Sequence, residues 1–479
     1  MTQVRSLKFN FIVRSIFSFG EMGLSLLVFP YVAKVLGPEN LGKFDYVIAA
    51  VTYMTTLCTL GTVDYGIRKI AKIKHDRVNL NKSLSTMFTL RFQLSLIGFL
   101  IYIFIVLPVL GELYNSLFWI SAIIIIISFL NSTWILDGLE DYTYLAVIRI
   151  LSKLLLIGYL RLFVVNSSDL YMYLYGYIFT EFLFFLASTI RITAKYKMKI
   201  KLREIFTRFD IGLVNSLLAI FFFNLLTTSL VSFPSLFLGT VGYFKEQGYY
   251  SVAMRFFWIS YYCVVPMTVV LLPRSYRSIE DSVKQLSNNF IILITLASAV
   301  GFGLLSVSTD IIKIFVGNEY FPSIYLLNFL AFACIVIAFN SFWGMQVIFA
   351  KHKESLLIKS NIMVLLFMLI LGSYLIYTYK SVGAVYSVLS SQLLLSILYF
   401  MIGKKYFMLD WDTVAEAIKG SISAFLMYLI IRKFNVDNVV LLLAKVLLGA
   451  GIFGISLIIL RFRVAINILI NIKDRIRHG

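Results

Sequence analysis

The chain is poor in charge and in the residues that build soluble active sites. Only 14% of its 479 residues are Asp, Glu, Lys or Arg, and it has three histidines, three cysteines and seven prolines. Soluble domains carry about 25% charged residues, so the composition argues against a soluble domain. The histidines lack the spacing of a metal-ligand pair. The cysteines all lie in apolar runs, where we expect packing residues rather than disulfides or ligands.

Long apolar runs dominate what is present, since hydrophobic residues make up 60% of the chain. About 20 apolar residues cross the hydrocarbon core, and a span in lipid is helical because its backbone finds no water. We predict an all-α polytopic membrane protein with about fourteen transmembrane helices. The predicted spans are 11–36, 44–63, 84–108, 115–136, 142–164, 170–193, 211–238, 249–272, 288–309, 324–350, 355–378, 382–402, 417–432 and 438–460.

The basic residues alternate between the two sides of these spans. The connections predicted on one side carry 26 Lys and Arg residues, and those on the other side carry 5. The positive-inside rule then predicts a multi-pass membrane protein with both termini in the cytoplasm. The formal charge of +19 comes largely from this inner side, where it favours anionic head groups of membrane lipids over nucleic acid. No cleavage site follows the first apolar run, so we expect no cleavable signal peptide.

Short connections argue against an enzyme. The longest predicted outer connection, 310–323, leaves no room for an extracytoplasmic domain, and no glycine-rich phosphate loop indicates ATP binding. A membrane-embedded polysaccharide polymerase or ligase would need a large outer loop with catalytic charges. We therefore predict a transporter without catalytic residues, metal or cofactor.

Two halves of the chain look alike. Phe29-Pro30 and Phe233-Pro234 each end a span, and Gly42 and Gly248 each open the next. Parallel repeats of this kind predict two lobes with a substrate site between them. The predicted organisation is an N-lobe over 1–208 (spans 1–6 and a basic linker), a C-lobe over 209–405 (spans 7–12), and a C-terminal helix pair with a basic tail over 406–479. The linker's basic run, 195–203, is either an interfacial segment or a solvated loop.

Bases outnumber acids inside the predicted spans, and buried charges usually face a cavity or a partner. We predict a cationic, substrate-binding cavity; the alternative is salt bridging between helices. Arginine suits phosphate and carboxylate ligands. The predicted cavity residues are Arg14, Arg91, Arg149, Lys153 and Arg255. The acids predicted to couple ions or pair with these bases are Glu21, Glu181 and Asp45.

Residues 64–83 are predicted to form a surface helix at the inner side. Ile67, Ile70, Ala71 and Ile73 give it an apolar stripe beside a basic face. The stripe indicates membrane anchoring. The basic face suggests a further role, contact with a lipid phosphate at the inner mouth, and its residues are Arg68, Lys69 and Lys72. Cavity aromatic residues such as Trp134 or Tyr142 are candidates for stacking on sugar rings.

Five strings in both halves carry a family resemblance. They are FPYVAKVLGPENLGKFDYVIA (29–49), LGTVDYGIRKIAK (60–72), WILDGLEDYTYLAVIRILSKLLL (134–156), GYYSVAMR (248–255) and IFVGNEYFPSIYLLNFLA (314–331). With these strings the chain resembles the Wzx-type oligosaccharidyl-lipid flippases, or polysaccharide exporters, of the multidrug/oligosaccharidyl-lipid/polysaccharide (MOP) superfamily.

The resemblance implies a V-shaped two-lobe fold that works by alternating access. It implies translocation of an undecaprenyl-diphosphate-linked oligosaccharide, such as an O-antigen or capsule unit, from the inner to the outer leaflet. Coupling to H⁺ or Na⁺ is expected if transport is uphill, and a polysaccharide polymerase and chain-length regulator are the expected partners. An ion-coupled drug antiporter of the same superfamily is the alternative, but it should have an acid-rich N-lobe cavity.

Overall fold

The computed structural model describes residues 7–73, 76–111, 115–128, 130–196, 211–271 and 279–462. It describes the backbone alone for residues 7–27, 77, 115, 211, 265–266, 269–271 and 279–282. No β-strand occurs in these ranges. Most of the predicted basic linker and the C-terminal tail lie outside them. The helices are α1 (Leu7–Thr59), α2 (Thr62–Ile73), α3 (Arg77–Ile101), α4 (Leu107–Leu110), α5 (Asn115–Ser128), α6 (Thr133–Gly138), α7 (Tyr142–Phe163), α8 (Leu170–Tyr196), α9 (Ile211–Thr240), α10 (Phe244–Leu271), α11 (Ile279–Ile311), α12 (Pro322–Ser341), α13 (Glu354–Phe367), α14 (Ser373–Gly403), α15 (Trp411–Ile431) and α16 (Val439–Ile459).

The prediction of an all-α polytopic membrane protein is confirmed. Within the described ranges, nine helical runs are long and apolar enough to cross a membrane. A tenth would be formed by α1 and α2, which are bent by 43° at the break between them. Helix covers most of the described residues of each predicted span, with a break between α5 and α6 inside the span 115–136, but the count of fourteen stays a prediction.

Two long helices turn sharply within their length: α1 covers two predicted spans, and α14 covers the span 382–402 and the end of the span 355–378. In α1 the turn is at Gly37, whose φ of 71° is accessible to glycine without steric cost. Pro38 follows, and its fixed φ suits the first turn of a helix. In α14 the turn is at Lys380, with φ 53°. The loops predicted at 37–43 and 379–381 are therefore tight reversals.

Contacts divide the chain into two compact units, Met1–Gly248 and Tyr249–Gly479. The repeat pattern predicts the lobe boundary earlier, at 208/209. The boundaries differ because α9 packs along α1: the Tyr53 hydroxyl donates to the Ser229 carbonyl at 3.4 Å, and the Thr56 and Thr228 hydroxyls are 3.4 Å apart.

The C-terminal helix pair packs within the second unit. Ser298 on α11 and Ser421 on α15 bring their hydroxyl oxygens to 2.8 Å. Lys445 on α16 donates to Asp310 on α11 at 2.5 Å, and both side chains are almost fully buried. With 21 residues, α15 is about 31 Å long, which is enough to span the hydrocarbon core.

Candidate substrate-binding site

In the first unit, α7 and α8 bring together three of the predicted charges. Arg149 and Lys153 are one turn apart on α7 and both are half-buried. The Arg149 guanidinium lies over the ring of Phe184 on α8, 4.3 Å from its centroid, a favourable cation–π contact. Glu181 is half-buried and precedes Phe184 by three positions, so it lies on the same side of α8.

Lys153 is the cation at this site that stays available to a ligand. It has no ion pair or hydrogen bond to the described residues. An ammonium group that is half-buried in a span is poorly solvated, so an anion that reaches it gains a strong charge-assisted contact. The α7 pair is therefore suited to a phosphate or carboxylate group.

In the second unit, Arg255 is placed by α10, which runs beside α12. The Ser323 hydroxyl, at the start of α12, donates to the Tyr249 carbonyl at 2.9 Å. Gln346, in the π-helical turn that continues α12, donates to the Thr268 carbonyl at 3.2 Å. Because α12 and its continuation form a run long enough to cross the membrane, α10 covers the same depth. Half-buried Arg255 lies between these two anchoring bonds.

Arg91 was predicted to line the cavity, but the structure buries it. Its side chain is 1% exposed, and its guanidinium donates to the carbonyls of Asn131 at 2.7 Å and Ser128 at 3.0 Å. These carbonyls lie at and just beyond the end of α5, where a helix leaves acceptors without intrahelical donors. Arg91 therefore satisfies a helix end and is not accessible to substrate.

Trp134 was predicted as a candidate for stacking on sugar rings, but it is buried, and its indole N–H donates to the Asn131 carbonyl at 3.0 Å. The side chains of Arg14 and Glu21 lie outside the part of the chain whose side chains are described. Asp45 is half-buried in the limb of α1 that follows Gly37.

The predicted inner surface helix is α2, but its apolar stripe packs on protein. Ile70 is fully buried in a cluster with Trp134, and a Cβ atom at Gly66 would overlap the Trp134 ring. Ile67, Ile70 and Ile73 thus hold α2 to its own unit, while Ala71 is exposed. Arg68 and Lys72 are exposed, and half-buried Lys69 places its ammonium 5.5 Å from the centre of the Tyr65 ring. The basic face remains open to a lipid phosphate.

Three polar contacts were not predicted from the sequence. Asn224 on α9 donates to the Asp64 carboxylate on α2 at 2.9 Å, and Lys445 pairs with Asp310 as described above. At the junction of α6 and α7, one oxygen of Asp141 accepts bonds from three residues of α8. They are Arg191 at 3.1 Å, Lys195 at 2.9 Å and Tyr196 at 3.0 Å.

The donors around Asp141 set the charge of this junction. Burial alone would raise the pKa of the carboxyl group, but the hydrogen bonds from Lys195, Arg191 and Tyr196 outweigh it and lower the pKa from its usual value. The carboxylate is therefore ionised at neutral pH and ties α7 to α8. In the described residues, no group of three or more His, Cys, Asp or Glu side chains could hold a metal ion.

Comparison with known proteins covers most of the chain. The family model described as "Polysaccharide biosynthesis protein" matches residues 7–279, more than half of the sequence. A protein of Escherichia coli (strain K12), whose name assigns it to O-antigen transport, is 24% identical over 415 residues. That alignment covers 84% of this chain and 97% of the relative.

Solved structures of two transporter types share the fold. The lipid II flippase MurJ, in an inward closed conformation, superposes with a TM-score of 0.71 at 18% identity, over 94% of this chain and 99% of that chain. An inward-facing multidrug resistance transporter of the MATE family, within the MOP superfamily, gives 0.64 at 16% identity, over 84% and 98%. At such identities the similarity establishes a MOP-type fold.

Proposed function

The chain belongs to the polysaccharide biosynthesis protein family, and we propose that it is a flippase for lipid-linked oligosaccharide. Its substrate is an undecaprenyl-diphosphate-linked repeat unit of an O-antigen, capsule or similar glycan. The unit moves from the cytoplasmic to the outer leaflet of the bacterial inner membrane. A polysaccharide polymerase and a chain-length regulator would act on the delivered unit.

The basic pair of α7 is the observation that carries this proposal. Arg149 and Lys153 share one face of α7, which coincides with the predicted span 142–164, and Lys153 lacks a partner in the described part of the chain. Two cations so placed repel one another unless a negative charge lies nearby. Glu181 on α8 is one such charge, and the diphosphate of a lipid carrier would supply another at Lys153. The named activities of the O-antigen transport relative and of MurJ agree with such a substrate.

Transport by alternating access requires two states whose populations substrate or an ion can shift. We propose that a proton or Na⁺ gradient supplies the bias, through Glu21 or Glu181. Glu181→Gln and Glu21→Gln should each be assayed in proteoliposomes with and without an imposed ion gradient. At least one should abolish the gradient dependence of flipping; if neither does, both carboxylates are packing partners of the surrounding bases.

Alanine substitution tests the cationic site. We expect Arg149→Ala, Lys153→Ala and Arg255→Ala each to lower surface glycan at normal protein expression, because each removes a cation that holds the diphosphate. Lys153 should be the most sensitive of the α7 pair. A matched control is Arg161→Ala, which removes an exposed arginine near the end of the same helix, stacked over Tyr31.

Unchanged glycan output from all three variants would overturn the cationic site. Arginine-to-lysine changes at residues 149 and 255 refine the result. Mild loss indicates a general electrostatic field, whereas loss close to that of alanine indicates bidentate binding of phosphate.

The proposed orientation places both termini and the basic linker in the cytoplasm. It is supported by the distribution of basic residues between the two sides. In a background without the native cysteines, a cysteine at Lys195 should react with an impermeant thiol reagent only from the cytoplasmic side. A cysteine at Ser167 should react only from the outside. The reverse pattern would contradict the orientation.

The alternative is an ion-coupled drug antiporter, which the MATE fold similarity supports. The excess of bases within the spans disfavours cationic drugs. Efflux of a cationic dye that is lost on deletion of the gene, with surface glycan unchanged, would favour the antiporter.

A further inference from the structure

The two faces of α10 differ sharply in composition. Ala253, Phe256 and Phe257 are buried, and the ring of Phe256 lies 6.2 Å from that of Phe315 in the second unit. At 100° per residue, the face turned away from them carries Arg255, with Trp258 three positions later and Tyr262 seven positions later. Arg255 and Trp258 are half-buried and Tyr262 is 55% exposed.

This face lies within the depth of the membrane. Arg255 and Tyr262 both fall between the two hydrogen bonds that fix α10 beside α12, at Tyr249 and Thr268. An arginine on a lipid-facing surface at that depth costs about 2.5–3.5 kcal/mol on insertion scales. Tyrosine and tryptophan of the interfacial belts lie at span ends, whereas these residues lie inside. An arginine at such a depth usually faces a cavity or a polar partner rather than lipid, so this face is a candidate lining for the path of a polar substrate.

The aromatic rings beside Arg255 support one another. We call Trp258, Tyr261 and Tyr262 the α10 aromatic platform. The Trp258 and Tyr261 rings are 4.8 Å apart at 76°, and those of Tyr261 and Tyr262 are 5.6 Å apart at 84°. Trp258 and Tyr262 are 6.2 Å apart with an interplanar angle of 35°. Edge-to-face contacts of this kind are favourable and restrict ring motion.

We propose that the α10 aromatic platform binds the sugar rings of the substrate head group while Arg255 holds its diphosphate. The inference rests on the proposed flippase function and adds a site that binds the glycan rather than the lipid carrier. The C–H face of a pyranose ring is apolar and packs on an aromatic face, and the tyrosine hydroxyls can bond sugar hydroxyls.

The order of Arg255, Trp258 and Tyr262 along α10 matches the order of diphosphate and sugars in the substrate. Trp258 lies about 4.5 Å and Tyr262 about 10.5 Å along the helix axis from Arg255, at 1.5 Å per residue. In the substrate the diphosphate is followed directly by the first sugars, so a linear head group lying along α10 would place its charge at Arg255 and its rings at the platform.

Two lipid probes separate the roles. Purified protein in nanodiscs is titrated with undecaprenyl diphosphate and with an undecaprenyl-diphosphate-linked oligosaccharide. We expect Trp258→Ala and Tyr262→Ala each to weaken binding of the glycan-bearing lipid about fivefold to tenfold, as expected for loss of an aromatic contact. Both should leave binding of undecaprenyl diphosphate unchanged, whereas Arg255→Ala should weaken both. Tyr374→Ala, at an exposed tyrosine elsewhere in the second unit, should affect neither.

The outcomes distinguish the two proposals. Wild-type protein that binds neither lipid would overturn the flippase proposal itself. Wild-type protein that binds both, with Trp258→Ala and Tyr262→Ala unchanged for the glycan-bearing lipid, would overturn the platform alone. Equal losses for both lipids would also overturn it, since they indicate a packing role. If Trp258→Ala does not fold, Trp258→Phe and Tyr262→Phe, which keep an aromatic ring, should retain most of the selectivity for the glycan.

Discussion

At the scale of single residues, the role of Arg91 is to stabilise the fold and not to bind the substrate. Arg91→Ala should remove one donor from the Ser128 carbonyl, which keeps the Asn131 N–H, and one from the Asn131 carbonyl, which keeps the Trp134 indole N–H. A hydrogen bond to a charged group is worth about 1.5–3 kcal/mol. We expect a lower melting temperature in detergent and reduced yield, with lipid binding unchanged in the protein that folds. Arg91→Lys should recover part of the stability, because lysine donates hydrogen bonds without the planar fork.

A different outcome would support the predicted role of Arg91 as a cavity residue. If Arg91→Ala melts at the wild-type temperature but loses affinity for undecaprenyl diphosphate, the buried guanidinium must reach the substrate in another state of the protein.

The hydrogen bonds of Asp141 predict how the stability of the fold depends on pH. Its carboxyl pKa is lowered in the folded protein, so its bonds to α8 stabilise the fold fully above the unfolded pKa of about 4. That stabilisation is lost as pH falls through the folded pKa. Melting curves should therefore show Asp141→Asn below wild type at pH 7, with the gap closing below about pH 4. A gap that stays constant between pH 7 and pH 3 would contradict this role.

At the scale of helices, two glycines from the two halves of the chain pack against each other's segments. A Cβ atom at Gly42 would overlap the Phe244 carbonyl oxygen, and one at Gly248 would overlap the Pro38 carbonyl oxygen. These obstacles are backbone atoms, which cannot swing aside. We expect Gly42→Ala and Gly248→Ala each to force the Pro38 turn from the start of α10, lowering both melting temperature and glycan output.

Gly158→Ala is the matched control for these two variants. Gly158 lies within α7, and a Cβ atom there meets nothing within 4 Å. Alanine should be neutral or slightly stabilising, since glycine is the weaker helix former by about 1 kcal/mol. Wild-type melting and output from Gly42→Ala and Gly248→Ala would show that the close approach at this turn does not persist in the membrane.

The helices themselves could be predicted from the sequence, because the absence of water forces every apolar run of sufficient length into helix. Their lateral partners could not. Lys445 lies within a predicted span, and Asp310 lies in a predicted outer loop, yet they form a buried ion pair between α16 and α11. Nothing local in either segment specifies a partner that is distant along the chain.

The same distinction holds for the predicted site: contacts within one helix could be predicted, and contacts between helices could not. That Arg149 and Lys153 share a helix face follows from helix periodicity alone, and the structure adds the contact between Arg149 and Phe184. Arg91 looked equivalent in sequence, but its role depends on where α5 ends relative to α3. Likewise, the apolar stripe of α2 predicts a buried face correctly without indicating whether lipid or protein covers it.

At the scale of the whole molecule, the chain combines a MOP-type fold, membership of a polysaccharide biosynthesis family and cations within its spans. The cations favour an anionic head group, and the α10 aromatic platform favours one that carries sugars. A lipid diphosphate bearing an oligosaccharide has both properties. We therefore propose that the protein translocates that molecule.

Reconstituted transport tests this claim most directly. Proteoliposomes are loaded with undecaprenyl-diphosphate-linked oligosaccharide carrying a fluorescent sugar, and a membrane-impermeant quencher reports the exposed fraction over time. We predict rapid equilibration between leaflets with wild-type protein. We predict rates close to those of protein-free vesicles with Lys153→Ala, and the wild-type rate with Arg161→Ala. Protein-free rates from correctly folded wild-type protein, with an imposed H⁺ gradient and with an imposed Na⁺ gradient, would contradict the account.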